Sequence, residues 1–213
     1  MMTEHSEYTQ GYITACDETL MKYDAPNWFV SFFETYREGL KNSFTDKSNG
    51  DRNFLTRAFA DALHKLLPEG LEAQLCRETA FKEFIEAKGN EEFYNFLARK
   101  RIDFLLRNEN GHILIIEFKN TANFDSISSA ATEMKLFRDH LKENLKTKVT
   151  TWTISMFCGQ SPESLKLLNI HLGESIDEIW TFRKWDSDRG FETPFDVKNF
   201  IALRTALLEF SKK

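Results

Sequence analysis

The stretch RIDFLLRNENGHILIIEFKN, residues 101–120, decides the fold. Two runs rich in Ile, Leu and Phe, at 102–107 and 112–119, flank the tetrapeptide Asn-Glu-Asn-Gly. Asn-Gly between two apolar runs is the strongest local signal for a β-hairpin. The stretch therefore predicts two antiparallel strands joined by a tight turn.

Three charged residues of this predicted hairpin are candidates for a functional site: Asp103 in the first strand, and Glu117 and Lys119 in the second. Because side chains alternate along a strand, Glu117 and Lys119 face the same way. A three-residue turn puts Asp103 directly opposite Glu117, whereas a two-residue turn puts it opposite Phe118 on the other face. The sequence leaves both registers open.

In the first register, two carboxylates share the end of an apolar hairpin, and they repel unless a cation lies between them. A hard divalent ion such as Mg²⁺ is typically held by one or two carboxylates, water and substrate phosphate. Lys119 would then orient or help deprotonate a water and neutralise charge on phosphorus, as in metal-assisted phosphodiester hydrolysis. The alternative is a strand-end ion pair between Glu117 and Lys119, worth only ~0–1 kcal/mol.

The other apolar patterns predict helices and strands around the hairpin. Apolar spacings of three and four indicate helices, at 28–40, 51–67, 125–146, 162–169 and from 193 towards the end of the chain. β-branched and aromatic runs indicate strands, at 149–159 and 176–185, and either a strand or a helix at 71–81. Helix caps are expected at Asp125 or Ser126 and at Thr193, which Pro194 and Asp196 follow.

Asp103, a 13-residue gap and then Glu117-Phe118-Lys119, with a helix before and a helix after, resemble the PD-(D/E)XK nuclease superfamily. The resemblance implies an α/β restriction-endonuclease-like αβββαβ core with a central mixed sheet flanked by helices. Residues 51–158, about half the chain, reproduce that order if the helix-like segment 81–99 is an insertion. The expected organisation is an α-helical N-terminal extension, 1–46, followed by the nuclease-like domain, 47–213.

The same resemblance implies roles for individual residues. Asp103 and Glu117 would bind Mg²⁺, or Mn²⁺ in its place, and Lys119 would assist the attacking water. Asp51, at the start of the first core helix, is a further candidate metal ligand, although helix capping explains it equally well. Ile102 stands where the family usually has proline.

Phosphate contacts are expected from basic residues near the motif. The triplet Arg99, Lys100 and Arg101 comes just before Asp103, and a solvated charge run is its other explanation. On the helix after the motif, Glu133 and Lys135 occupy the neighbourhood in which family members carry a Gln or a basic residue. Of these two, Lys135 is the better candidate.

The net charge of −5 over 213 residues argues against a broad electrostatic surface for nucleic acid. Basic residues nevertheless cluster at 99–101 and 135–148, so binding is expected on one basic face, weakly without metal and with sensitivity to salt. DNA is the expected partner rather than RNA. Double-strand cutting often uses a dimer, which makes a homodimer a candidate assembly.

Several other classes are disfavoured. Three widely spaced cysteines without a CxxC indicate reduced thiols and a cytoplasmic protein. The longest apolar run is far shorter than the ~20 residues that span a bilayer, so no membrane partner is expected. No zinc-binding His pattern and no Gly-rich nucleotide loop occurs. The main rival to a nuclease is a non-catalytic interaction or regulatory protein built on the same fold.

Overall fold

A computed structural model describes residues 7–42, 51–67, 76–80, 101–158, 161–183, 185–186, 190–191 and 195–212. The helices are α1 (Glu7–Lys22), α2 (Asn27–Asn42), α3 (Asp51–Leu63), α4 (Phe124–Leu145), α5 (Pro162–His171) and α6 (Val197–Lys212). The strands are β1 (Cys76–Ala80), β2 (Arg101–Arg107), β3 (Ile113–Ala122), β4 (Val149–Cys158), β5 (Glu178–Thr181), β6 (Trp185–Asp186) and β7 (Gly190–Phe191). Within these ranges, no helix is both long and apolar enough to cross a bilayer.

The five longer strands form one mixed sheet in the order β1-β2-β3-β4-β5, and β6 pairs with β7 in a separate two-stranded sheet. β1, β2 and β3 are antiparallel neighbours, whereas β3, β4 and β5 run parallel. The predicted mixed α/β architecture is therefore confirmed. From α3 to β4, the described elements follow the order helix, three strands, helix, strand. The proposed insertion at 81–99 lies outside the described residues.

The hairpin has the three-residue turn. Phe104 lies opposite Ile116, and the Asn108 N–H donates to the His112 carbonyl at 3.0 Å. Gly111 has a φ of 77°, in the left-handed region that a residue without Cβ adopts at little cost. Of the two registers that the sequence left open, the structure has the one that directs Asp103 towards Glu117.

Asn108 holds this turn in place and ties it to the end of the chain. Its Oδ1 accepts from the backbone N–H groups of Asn110 and His112 at 3.1 and 3.0 Å. Its buried Nδ2 donates to the Phe210 carbonyl at 3.0 Å. Because a single side chain satisfies both turn donors, the three-residue geometry is favoured over the two-residue alternative.

Two helix starts differ from the predicted ones. The cap of α4 is Asn123, which forms a capping box with Ser126, so Ser126 is the third helical residue and not the cap, and Asp125 lies in the first turn. α6 begins at Val197, where Asp196 Oδ1 accepts from the N–H groups of the following turn. The predicted cap Thr193 lies outside the described residues. A short acceptor immediately before the helix decided both starts.

Helices cover both faces of the sheet. On one face, a phenylalanine-rich cluster joins α1, α2, α3 and α6 to the strands, and its members include Phe32, Phe33, Phe59 and Phe200. Phe182 stacks on Phe200 with ring centroids 3.8 Å apart. These phenylalanines are buried and fill the core on this face of the sheet. The boundary between 46 and 47 stays a prediction, although α1 and α2 belong to the same core as the sheet.

Gly39 of α2 packs closely on Ala58 of α3. A Cβ at residue 39 would lie 2.9 Å from the Ala58 Cβ and 3.0 Å from its Cα, so the two helices would have to move apart. We expect Gly39→Ala to lower the free energy of unfolding by about 1–3 kcal/mol despite the better helix propensity of Ala.

Gly11 of α1 provides the matched control for this prediction. A Cβ at residue 11 would meet nothing within 4 Å, so Gly11→Ala is expected to stabilise the protein by about 0.5–1 kcal/mol. Urea denaturation measures both variants. Stabilisation by Gly39→Ala to the same extent as by Gly11→Ala would contradict the close approach of α2 and α3.

Candidate metal centre

The hairpin brings the carboxylates of Asp103 and Glu117 together just beyond the last backbone pairing between β2 and β3. The pairing reaches Phe104–Ile116, and the next position in the same register sets Asp103 of β2 opposite Glu117 of β3. Here Asp103 Oδ2 accepts the Phe118 N–H at 2.8 Å. In a continued antiparallel ladder that N–H would go to a backbone carbonyl. The carboxylate of Asp103 is therefore held in place by the backbone of the opposite strand.

Glu117 and Lys119 point to the same face of β3 and form a close pair. Lys119 Nζ donates to Glu117 Oε2 at 3.3 Å, and the side chains are 4% exposed for Glu117 and 22% for Lys119. The other oxygen, Glu117 Oε1, is buried and has no hydrogen-bond partner within the part of the chain that the structure describes. An unsatisfied buried acceptor costs about 1–3 kcal/mol, so this position favours a ligand that brings positive charge.

β4 and α4 enclose the pair. Thr153 and Ser155 of β4 lie in register with Glu117 and Lys119, and both are buried. The Met134 Sδ atom of α4 approaches Thr153 Oγ1 to 4.0 Å. Asp103 and Glu117, which we call the acidic pair, thus lie between the sheet and α4, on the face opposite the phenylalanine-rich cluster.

Burial and the neighbouring charges shift the pKa values of Asp103, Glu117 and Lys119. The pKa of Glu117 is raised to about 8, first by burial and then by the charge of Asp103, while Lys119 opposes the rise. Burial also raises the pKa of Asp103, against the opposing effect of the Phe118 N–H. Burial lowers the pKa of Lys119, but the charges of Glu117 and Asp103 outweigh it and the net shift is upwards. Additional positive charge would therefore favour the state in which both carboxyls are ionised.

The donor set fits a hard divalent cation. Mg²⁺ in proteins typically takes one or two carboxylate ligands, and water and phosphate complete its shell. The site offers two carboxylates on neighbouring strands, and one oxygen of Glu117 has no partner in the described part of the chain. Asp103 and Glu117 would hold such an ion. In the described ranges, no group of three or more His, Cys, Asp or Glu side chains is placed to hold a metal ion. A cage made entirely of protein ligands, of the kind found at structural zinc sites, is therefore not formed by these residues.

The remaining predicted residues lie elsewhere or outside the described parts. Asp51 is the first residue of α3, and its side chain is not among those described. Arg99 and Lys100 fall outside the described residues, whereas Arg101 is exposed at the start of β2. Lys135 lies on α4, where its Nζ is 2.6 Å from Asp139 Oδ2. The contacts of these residues with nucleic acid stay predictions.

Glu133 is the residue whose relation to the site the sequence did not reveal. It precedes Lys135 by two positions on α4, which corresponds to about 200° around a helix, so the two side chains leave opposite flanks. Beyond burial and closer groups, the charge of Glu133 also raises the pKa of Asp103 and Glu117. The helical period of α4, once aligned with the sheet, is the signal that distinguishes Glu133 from Lys135.

The raised pKa of Glu117 predicts how the stability of the metal-free protein depends on pH. The native carboxyl keeps its proton up to about pH 8 and the unfolded one loses it near 4.5, so unfolding in this window releases a proton. Stability should therefore fall as pH rises through the window, by at most about 1.4 kcal/mol per pH unit. Asp103, Lys119 and Glu133 are the charged groups that face Glu117 from β2, β3 and α4.

Thermal denaturation in chelator across this pH range tests the dependence. Glu117→Gln should remove most of the decline, because glutamine carries no proton to release. Glu143→Gln, an exposed change on α4, should leave the decline unaltered. Superimposable profiles for wild type and Glu117→Gln would show that Glu117 ionises normally.

No protein-family model matches the chain, and no curated protein matches it either. Among solved structures, the chain is similar to an EndoMS–dsDNA2 complex, with 19% sequence identity and a TM-score of 0.31. The match covers 54% of this chain and 38% of that chain. At this TM-score the likeness decides neither fold nor function.

Proposed function

We propose that the protein is a Mg²⁺-dependent nuclease that hydrolyses phosphodiester bonds in DNA, built on a restriction-endonuclease-like αβββαβ core. One observation carries the proposal: Asp103 and Glu117 converge where β2 and β3 part, with Lys119 Nζ 3.3 Å from one oxygen of Glu117 and the other oxygen buried without a partner among the described residues. A surface ion pair needs no second buried carboxylate beside it, whereas a metal-assisted hydrolase does.

Each residue of the site has a distinct role in this mechanism. A divalent cation, when bound, polarises the phosphate and makes a water nucleophilic near neutral pH. Asp103, whose carboxylate accepts the Phe118 N–H, and Glu117 would hold the ion, and Glu117 would give up its proton on binding. Because its pKa is raised, Lys119 enters the reaction as an ammonium. It therefore orients the water and stabilises the charge that develops on the phosphate rather than removing a proton.

The charge distribution bears on how the substrate is held. A groove of ≈ 830 Å³ between α4, α5 and β5 carries Lys142 and Lys166, yet acidic side chains line it as well. Arg138 in this groove is 3.6 Å from Asp177, and Lys135 is paired on the same helix. The basic stretch at 135–148 is thus partly neutralised within the protein, so affinity for DNA should depend on the metal.

Incubation with supercoiled plasmid DNA tests the proposed activity. We expect nicking or linearisation with Mg²⁺ or Mn²⁺ and none with EDTA. Single-stranded DNA and RNA oligonucleotides of matched sequence serve as parallel substrates, and duplex DNA is expected to be cut fastest. Cleavage that continues in EDTA would exclude the mechanism, and cleavage confined to RNA would exclude DNA as the substrate.

The rival function is that of a non-catalytic interaction protein on the same fold. That rival predicts no cleavage of any nucleic acid and no effect of divalent ions on the protein. Glu117 Oε1, which has no partner among the described residues, favours the nuclease, because a site that no longer binds metal gains stability by losing a buried acid.

A further inference from the structure

α4 packs against β3, and residues one helical turn apart on α4 lie in the same cluster as alternate residues of β3. Phe137 and Leu141 of α4 belong to one buried cluster with Ile113 and Ile115 of β3. Four residues of a helix rise ~6.0 Å, and two residues of a strand rise ~6.6 Å. Successive turns of α4 therefore stay level with successive residues on the same face of β3.

The same spacing, extended by one helical turn, reaches the candidate metal centre. Four residues before Phe137 on α4 is Glu133, and two residues after Ile115 on β3 is Glu117. The neighbouring Met134 contacts Thr153, which is paired in register with Glu117, so the helix is held at this level. By this spacing Glu133 would lie near the level of Glu117, on the flank of α4 away from Lys135.

The electrostatics of the site agree with this placement. Beyond the effects of burial and of closer neighbours, the charge of Glu133 raises the pKa of Asp103, of Glu117 and of Lys119. When ionised, three carboxylates and one ammonium leave two negative charges, which a single divalent cation neutralises. Without Glu133 the same cation would leave the buried site with an excess positive charge, which a low-dielectric environment disfavours.

We propose that Glu133 is the third acid of the metal centre and contributes to cation binding through water rather than by direct contact. This inference rests on the proposed function. Glu133 is not placed to contact the ion directly together with Asp103 and Glu117, because no three His, Cys, Asp or Glu side chains of the described residues could hold one metal ion. Mg²⁺ keeps several of its waters in protein sites, and carboxylates outside its direct ligands act by accepting hydrogen bonds from them.

Mn²⁺ binding, measured by electron paramagnetic resonance without any substrate, tests the role of Glu133. Glu133→Gln is nearly isosteric, and we expect it to weaken Mn²⁺ binding about 10-fold. The control is Glu143→Gln, which removes the same charge from the same helix about 15 Å away, ten residues further on. It is expected to bind Mn²⁺ as the wild type does. Melting curves in chelator establish that each variant folds.

The outcomes separate this inference from the proposed function. Wild-type affinity in Glu133→Gln, in a protein that still cleaves DNA, would overturn the inference alone. A wild-type protein that binds no Mn²⁺ would overturn both. Glu133→Asp keeps the charge and should lose less affinity than Glu133→Gln; an equal loss would overturn the electrostatic role of Glu133.

Discussion

Replacing Lys119 with Ala is expected to lower the rate of Mg²⁺-dependent DNA cleavage by about 10²–10³-fold. Lys119 Nζ donates to Glu117 Oε2, and its pKa is raised, so in the proposed mechanism the ammonium would place a full positive charge beside the phosphate. Removing one preorganised charge from a partly buried site affects the transition state more than it affects binding of the ground state.

Single-turnover cleavage of a labelled duplex measures this effect. Lys41→Ala is the control, because Lys41 is exposed at the end of α2, in the layer on the other face of the sheet. We expect Lys41→Ala to cut as fast as the wild type. If Lys119→Ala also cuts at the wild-type rate, Lys119 has no part in the chemistry.

Divalent ions are expected to stabilise the wild type against unfolding, with no DNA present. At a concentration 100 times the dissociation constant, binding to the native state alone adds about 2.7 kcal/mol. In the ion-bound form, Asp103 and Glu117 would both be ionised, and the ion would offset the burial and the negative charges that raise their pKa values. The double variant Asp103→Asn/Glu117→Gln should therefore be more stable than the wild type in chelator and show no gain with Mn²⁺.

Thermal melting with and without Mn²⁺ provides the measurement. Asp139→Asn is the matched control, since Asp139 is half-buried on α4 and pairs with Lys135 away from the acidic pair. It is expected to respond to Mn²⁺ as the wild type does. An equal Mn²⁺ response in the double variant would place the binding site elsewhere in the protein.

Local patterns predicted most of the elements. The hairpin, α2, α4 and β4 were predictable because apolar periodicity and turn chemistry are properties of neighbouring residues. Within the expected α-helical extension, α1 was not predicted as an individual helix, since its buried face includes small or polar side chains such as Ala15, Cys16 and Thr19. Helix starts were shifted because capping depends on which acceptor reaches the first turn, as Asn123 and Asp196 show.

The candidate site was predictable only in part. Asp103, Glu117 and Lys119 follow from sequence spacing, but their convergence depends on the turn, and Asn-Gly is compatible with two registers. The bonds of Asn108 across the turn and to the last helix select one of them. Glu133 required knowing how α4 lies along β3, which is a long-range contact that no local pattern encodes.

A crystal structure of the protein soaked with Mn²⁺, with anomalous scattering used to locate the ion, tests the proposed metal centre most directly. We expect one strong anomalous peak in contact with carboxylate oxygens of both Asp103 and Glu117, including Glu117 Oε1. No peak between these two side chains, in a protein that cleaves DNA only with added metal, would contradict the assignment of the metal centre.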